Sequence, residues 1–335
     1  MCLLAPFAHG EEDPAFSQAK VLIQKNQIDS AKHLLRQKIE NIRGPHNEKL
    51  AVAYKVLSEA YKEESLLDSA VFYMEKAWSK AQEINPSKYG ETYPLTLAYY
   101  YWEKGTYSQA LKYAQATKRY ISSEHHSQNY MRLHNVLGLI YRDLGNYERA
   151  ESHFKQAVSL SSQFKKEHYK GIIMANMGSL YQKKGDYNRA ISYYERGSNL
   201  ELKYEDYTAA GRSFVVIGEL YTELADFSQA LSSLEKARLY NSRSNDQVGL
   251  CRTKNAMGEL FTQKGEYEKA RKYYLEAEQM AENQGARKQL MKSYLGLYQN
   301  YHHTGEHKKA FHYQSRYLAL YKDLYKIPVI VHLEH

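Results

Sequence analysis

Small and aromatic residues return along this chain every forty positions, in an order that suits a helix, a tight turn and a second helix. In the stretch Leu137–Ala157 the frame is Leu137-Gly138, then Tyr141, Gly145, Tyr147, Ala150, Phe154 and Ala157. Its alanine recurs at Ala70, Ala110, Ala190, Ala230, Ala270 and Ala310, with an earlier copy at Ala31. A fixed period of this kind signals units stacked on their neighbours, so length counts repeats and not domains. Aligning on the alanine gives units starting near residues 12, 51, 91, 131, 171, 211, 251 and 291, each a helical hairpin.

The eighth position of a unit is small: Ala19, Ser58, Ala98, Gly138, Gly178, Gly218 and Gly258. A missing side chain there lets the first helix approach its neighbour closely. The last unit carries Tyr298 instead, which predicts a splayed or specially capped final hairpin. Gly105, Gly145, Gly185, Gly265 and Gly305 stand between the two helices of their units, where a left-handed residue ends a helix cheaply. Ala225 breaks that rule. Loop signals late in the units are Arg43–Asn47, Asn85–Ser87, Asn241–Asp246 and Asn283–Gly285. Apolar and aromatic residues at helical spacing from Ala310 to Leu324 are expected to close the end of the array.

The order and spacing of Leu137-Gly138, Tyr141, Gly145, Tyr147, Ala150, Phe154 and Ala157 resemble the tetratricopeptide repeat. That resemblance implies an all-α fold, a right-handed α-α superhelix of about eight helical hairpins, running as one solenoid over residues 11–326. The family's basic period is 34 residues, so the six extra per unit predict roughly 9 Å of added helix. Residues 1–10 read as a remnant of a secretory signal, with a disordered terminus as the competing reading; residues 327–335 read as a tail ending in the start of an expression-tag scar.

Composition narrows the function classes. The formal charge of +8, from 46 basic and 38 acidic residues, is spread over short runs such as Lys165-Lys166, Lys183-Lys184 and Lys308-Lys309. Nucleic-acid binding needs charge gathered on one face and is not expected. No segment approaches the roughly 18 apolar residues of a membrane span. Cys2 and Cys251 make neither a disulfide framework nor a metal site. The 33 tyrosines sit largely at frame positions such as Tyr61, Tyr101, Tyr141, Tyr181, Tyr221 and Tyr301, where a ring fills the space between helices. Phosphate-binding, nucleophile-elbow and zinc-protease motifs do not occur, so no enzyme activity and no cofactor are expected. His302, His303, His307 and His312 are split by Gly305 and read as surface residues, as do His125-His126, and no metal is expected.

By resemblance to the family, the second, fifth, sixth, ninth, twelfth and thirteenth positions of a unit face a concave groove. The second position supplies Arg132, Arg212, Arg252 and Lys292, interrupted by Ile172: a broken basic stripe. Asn135, Asn176 and Asn255 offer side chains that both donate and accept hydrogen bonds to an extended peptide. Arg142 joins them, and Glu219, Glu223 and Glu259 form an opposed acidic set. The alternative is that these charges pair with one another across adjacent helices. Tyr99 and Trp102 form an aromatic patch able to anchor an apolar side chain, with core packing as its alternative. Some eukaryotic co-chaperones of this fold clamp a terminal carboxylate with lysine and asparagine, but Glu59 stands where asparagine is needed beside Lys55, so that pattern does not transfer.

The expected function is a non-enzymatic scaffold with a protein or peptide in its groove. The forty-residue period and the segment Asn176–Tyr187 resemble bacterial arrays that form extracytoplasmic input regions of membrane-anchored signalling proteins, and Arg316–Leu324 resembles the segment closing such arrays. A sensor or adaptor region outside the cytoplasm is the leading reading. A cytosolic peptide-responsive regulator and a structural subunit of a secretion or envelope assembly are the alternatives.

Overall fold

The computed structural model describes residues 13–42, 47–121 and 128–325. Four sequence expectations lie outside these residues: the signal remnant, the loop at Arg43–His46, the His125-His126 pair and the carboxy-terminal tail. The described residues form seventeen α-helices and no strand. The chain divides into two compact units, one ending at Phe164 and one beginning at Lys165.

The later unit is the more regular. It contains α10 (Glu167–Lys183), α11 (Tyr187–Lys203), α12 (Tyr207–Glu223), α13 (Phe227–Arg243), α14 (Gln247–Gln263), α15 (Tyr267–Asn283), α16 (Arg287–His303) and α17 (His307–Tyr325). Seventeen-residue helices alternate with three-residue turns, which accounts for the forty-residue period. Both kinds of turn, within and between hairpins, have one design. The middle residue is left-handed, at φ +77° in Gly185, +58° in Glu205 and +54° in Asn245. The amide of the next residue closes the helix behind it, and where that residue is aspartate its carboxylate caps the helix ahead. The amide of Asp226 donates to the carbonyl of Tyr221 at 2.9 Å, and its carboxylate accepts from the amide of Gln229 at 3.1 Å. Asp186, Asp206 and Asp246 cap their helices in the same way. The first helices α10, α12, α14 and α16 start four residues before the starts read from the alanine frame, α12 and α14 of them capped by aspartate.

Ala225 adopts φ +58°, as its place between two helices predicts. A β-carbon in that region costs about 1 kcal/mol against glycine. Ala225→Gly is expected to raise the thermal midpoint by that equivalent in calorimetry; an unchanged or lower midpoint would contradict a strained Ala225.

Two expectations are corrected. Asn241–Arg243 belong to α13, because the buried Asn241 amide donates to the hydroxyl of Thr253 at 3.1 Å, so only Ser244–Asp246 form the turn. The final hairpin also closes without splaying. The rings of Tyr301 and Tyr313 stack at 5.6 Å, matching Tyr181–Tyr193 at 5.2 Å and Phe261–Tyr273 at 5.5 Å. Tyr298 fits because the second-helix position that holds a large side chain elsewhere holds Gln314 here, and Tyr298 packs on the Phe261, Tyr274, Leu297 and Tyr301 core.

The earlier unit contains α1 (Pro14–Gln24), α2 (Ile28–Asn41), α3 (Asn47–Glu63), α4 (Leu67–Ile84), α5 (Pro86–Tyr89), α6 (Tyr93–Glu103), α7 (Tyr107–Lys118), α8 (Gln128–Asp143) and α9 (Tyr147–Gln163). Its irregular hairpin is α6–α7. Pro86 and Pro94 each open a helix, which splits off the short α5 and delays α6 to Tyr93. The core alternates alanines with large rings: Ala110 and Ala150 are fully buried, as is Phe154, whose ring occupies the space beside Gly138. A β-carbon on Gly138 would lie 2.5 Å from that ring. None of the described helices is long and apolar enough to cross a membrane.

Candidate functional site

In the later unit α12 packs on α14 and α14 on α16, so the first helices of successive hairpins line up and present equivalent positions side by side. Arg212, Arg252 and Lys292 occupy the same register on these three helices. Arg212 is exposed, and its Nε donates to the carbonyl of Thr208 at 3.3 Å. Arg252 donates through Nη2 to Glu219 at 2.9 Å, and Lys292 stands 3.7 Å from the other oxygen of the same carboxylate. Glu219 is therefore held by cations from the next two hairpins. The pairing that competed with a free basic stripe is realised at Arg252. Lys292 has the longer contact, and Arg212 has no acidic ion-pair partner among the described residues.

Asn255 leaves the open face. Only 5 % of it is exposed, its Nδ2 donates to the Gln289 carbonyl at 3.1 Å, and its Oδ1 accepts from Ser293 Oγ at 2.9 Å. It rivets α14 to α16 and is not an available peptide contact. Glu259 is exposed and accepts from Tyr274 at 3.2 Å and from Gln263 at 3.4 Å; Glu223 is exposed at the end of α12. Asn176 is half-buried on α10. The exposed set is thus basic towards the starts of α12 and α16, at Arg212 and Lys292, and acidic towards the ends of α12 and α14, at Glu223 and Glu259.

The candidates before Phe164 are more enclosed. Arg142 is buried, lies over the Trp102 ring at 5.8 Å and is paired with Asp143 at 2.9 Å. Trp102 Nε1 donates to that same Asp143 at 2.8 Å, and the Tyr99 hydroxyl donates to Glu103 at 3.2 Å. Both rings pack against the core of Leu95, Ala98, Leu133 and Ile140. The aromatic patch and Arg142 therefore join α6 to α8, as the core-packing alternative requires. Asn135 is buried, and Arg132 is half-buried within 3.4 Å of Asn129. Lys55 and Glu59 form a buried pair on α3, which ties up both residues of the incomplete clamp.

Two buried titratable sites escaped the sequence reading. His134 and His153 face each other through Nδ1 at 2.9 Å, so one ring carries the proton there and the other accepts it. Burial, reinforced by Lys118 and Arg149, pushes the basicity of His153 down. Glu201 is 2 % exposed at the joint between α11 and α12, where Ser213 Oγ donates to it at 3.0 Å. Burial raises its pKa to about 7. The signal for Glu201 was present: forty residues on, Asn241 and Thr253 repeat the same polar pair.

Hairpins of this frame, stacked side by side with a variable face on their first helices, define a repeat scaffold. The chain belongs to the tetratricopeptide repeat family, whose models match residues 91–163, 169–238 and 252–284. It is similar to regulatory protein RapC of Bacillus subtilis (strain 168), with 27% identity over 169 residues, or 50% of this chain. That match spans 40% of RapC's own length. Among solved structures it resembles the quorum sensor NprR from B. thuringiensis in its apo form, at a TM-score of 0.69 and 16% identity over 91% of this chain and 86% of that one. A Rap protein complexed with competence and sporulation factor gives 0.65 and 13%, over 93% and 98%. Aspartyl phosphate phosphatase F from Bacillus subtilis gives 0.63 and 15%, over 98% and 100%. At these identities the structural likeness is one of fold.

Proposed function

We propose that this chain is a non-enzymatic regulator of bacterial signalling that holds a peptide against the first helices of its later hairpins. The observation that carries the reading is the division of labour within the unit. Frame residues that close each hairpin recur with few exceptions, while the face of α12, α14 and α16 varies in chemistry, with Arg212, Glu223, Glu259 and Lys292 all exposed. A scaffold uses such a face to read a partner's side chains. The likeness to RapC, which is named a regulatory protein, and to the quorum sensor NprR supports the peptide-responsive regulator over the structural subunit.

A double Arg212→Glu, Arg252→Glu variant tests this. The wild-type chain is expected to retain members of a random hexapeptide library in native mass spectrometry. The variant is expected to lose them with its far-ultraviolet circular dichroism unchanged. Undiminished retention by the variant moves the site elsewhere.

A further inference from the structure

Resting on that reading, we infer that the face of α12, α14 and α16 is a carboxylate-recognition site, and that Glu219 occupies it as an internal competitor. Two cations, Arg252 and Lys292, hold a single acidic side chain, Glu219, and Arg212 stands in the same register on α12. That carboxylate is half-buried, with 28% of its side chain exposed, against 27% for Arg252 and 54% for Lys292. Its contacts show that a carboxylate can be seated here: Arg252 Nη2 lies on one oxygen at 2.9 Å, and Lys292 Nζ approaches the other at 3.7 Å.

The charge count is uneven: Glu219 carries one negative charge against the two cations that hold it, while Glu259, in the same register one unit later, accepts from Tyr274 and Gln263. A peptide carboxylate can take Arg252 and Lys292 from Glu219, in which case the guanidinium exchanges one bidentate-capable partner for another, and Arg212 adds positive charge to the same face. The floor is fixed for this. Asn255, bonded to Gln289 and Ser293, locks α14 to α16 beneath the cations, so the spacing of Arg252 and Lys292 is set before any ligand arrives. Partial burial strengthens each contact relative to open solvent, and high salt weakens them. Glu219 sets a threshold: neutral or basic peptides leave it in place, while an acidic group competes for its partners.

The required carboxylate can come from a peptide's terminus or from an acidic side chain, and three synthetic hexapeptide libraries separate the sources. The first has free carboxy-termini and no Asp or Glu, the second is amidated and contains Asp and Glu, and the third is amidated and contains neither. The wild-type chain is expected to retain the first or the second over the third by native mass spectrometry, and which of them it retains names the source. Glu219→Gln is expected to tighten the retained peptides about five- to tenfold, the scale of one partly exposed ion pair. An Arg252→Glu, Lys292→Glu variant is expected to lose the preference while keeping its helicity. Equal retention of all three libraries by the wild type overturns the carboxylate inference and leaves peptide binding standing. Retention of none overturns both. A preference that survives in the double variant places carboxylate recognition elsewhere and overturns the inference as well.

Discussion

At pH 8 a Glu201→Gln variant is expected to be about 3 kcal/mol more stable than the wild-type chain, and at about pH 3.5, below the unfolded value, the two are expected to coincide. Burial lifts the Glu201 carboxyl from 4.5 to about 7, against the hydrogen bond from Ser213 and the charge of Arg212, with Asp206 adding to the rise. The folded chain therefore keeps a proton that the unfolded chain releases between pH 4.5 and about 7, and stability falls as pH climbs through that interval. Glutamine keeps an oxygen for Ser213 and has no charge to desolvate; one unit later the neutral Asn241 fills the same place, donating through its nitrogen to Thr253. Glu278, also raised by burial, adds a slope of the same sign. His153, with its basicity lowered, acts oppositely, because its stabilisation is lost as pH falls below the ordinary histidine value of 6.5. Both cancel in the difference between variant and wild type. Urea unfolding of both proteins at the two pH values reads the effect, and parallel stabilities at both would exclude a buried, protonated Glu201.

The fold was legible because the constraints that build it are local and repeated. Alanine at a helix crossing, glycine at a left-handed turn and a ring one turn away must recur wherever a hairpin recurs, so a single sequence carries several copies of its own pattern. What escaped was chemistry that does not depend on residue type alone. Glu205, Lys165 and Asn245 take the left-handed turn as glycine does elsewhere, so of the turns between the later hairpins only the one at Gly285 left a glycine signal. The capping aspartates were equally quiet. Asp206 and Asp246 each cap the next first helix by accepting from its third residue, and that helix starts four residues before the position the alanine frame gives.

The site was legible in position and illegible in partnership. Which helix face varies from unit to unit follows from the register, and Arg212, Glu223 and Lys292 are exposed where that register put them. Whether a polar side chain on this face is available depends on the neighbour it meets across a helix crossing. Arg252 meets Glu219 from the preceding hairpin, and Asn255 meets Ser293 from the following one, contacts fixed by packing angle and not by spacing within a helix. Trp102 and Asp143 are the same case before Phe164. The forty-residue offset does pair such positions, which is why Glu201–Ser213 and Asn241–Thr253 were recoverable in principle.

Phe154→Ala is expected to cost about 3–5 kcal/mol and Gly138→Ala about 1–3 kcal/mol, with the double variant costing about 1–2 kcal/mol less than their sum. Phe154 is fully buried, so truncation leaves a cavity between α8 and α9. A β-carbon on Gly138 would lie 2.5, 2.6 and 2.9 Å from atoms of that ring, and backbone or ring must shift to admit it. Removing the ring vacates the volume that the new methyl needs, so the two changes couple. The chain contains the natural version of this exchange. Where Gly178, Gly218 and Gly258 face Tyr194, Leu234 and Tyr274, the last hairpin carries Tyr298 at the glycine position and Gln314 at the ring position, and it still closes on the Tyr301–Tyr313 stack. A ring now stands at the glycine position, opposite the flexible, half-buried Gln314, and the crossing survives. Because a repeat array can open one hairpin before the rest, hydrogen exchange of the α8 and α9 amides is the appropriate readout. Strictly additive losses in the double variant would mean that the glycine is required by the backbone of α8 and not by the ring it faces.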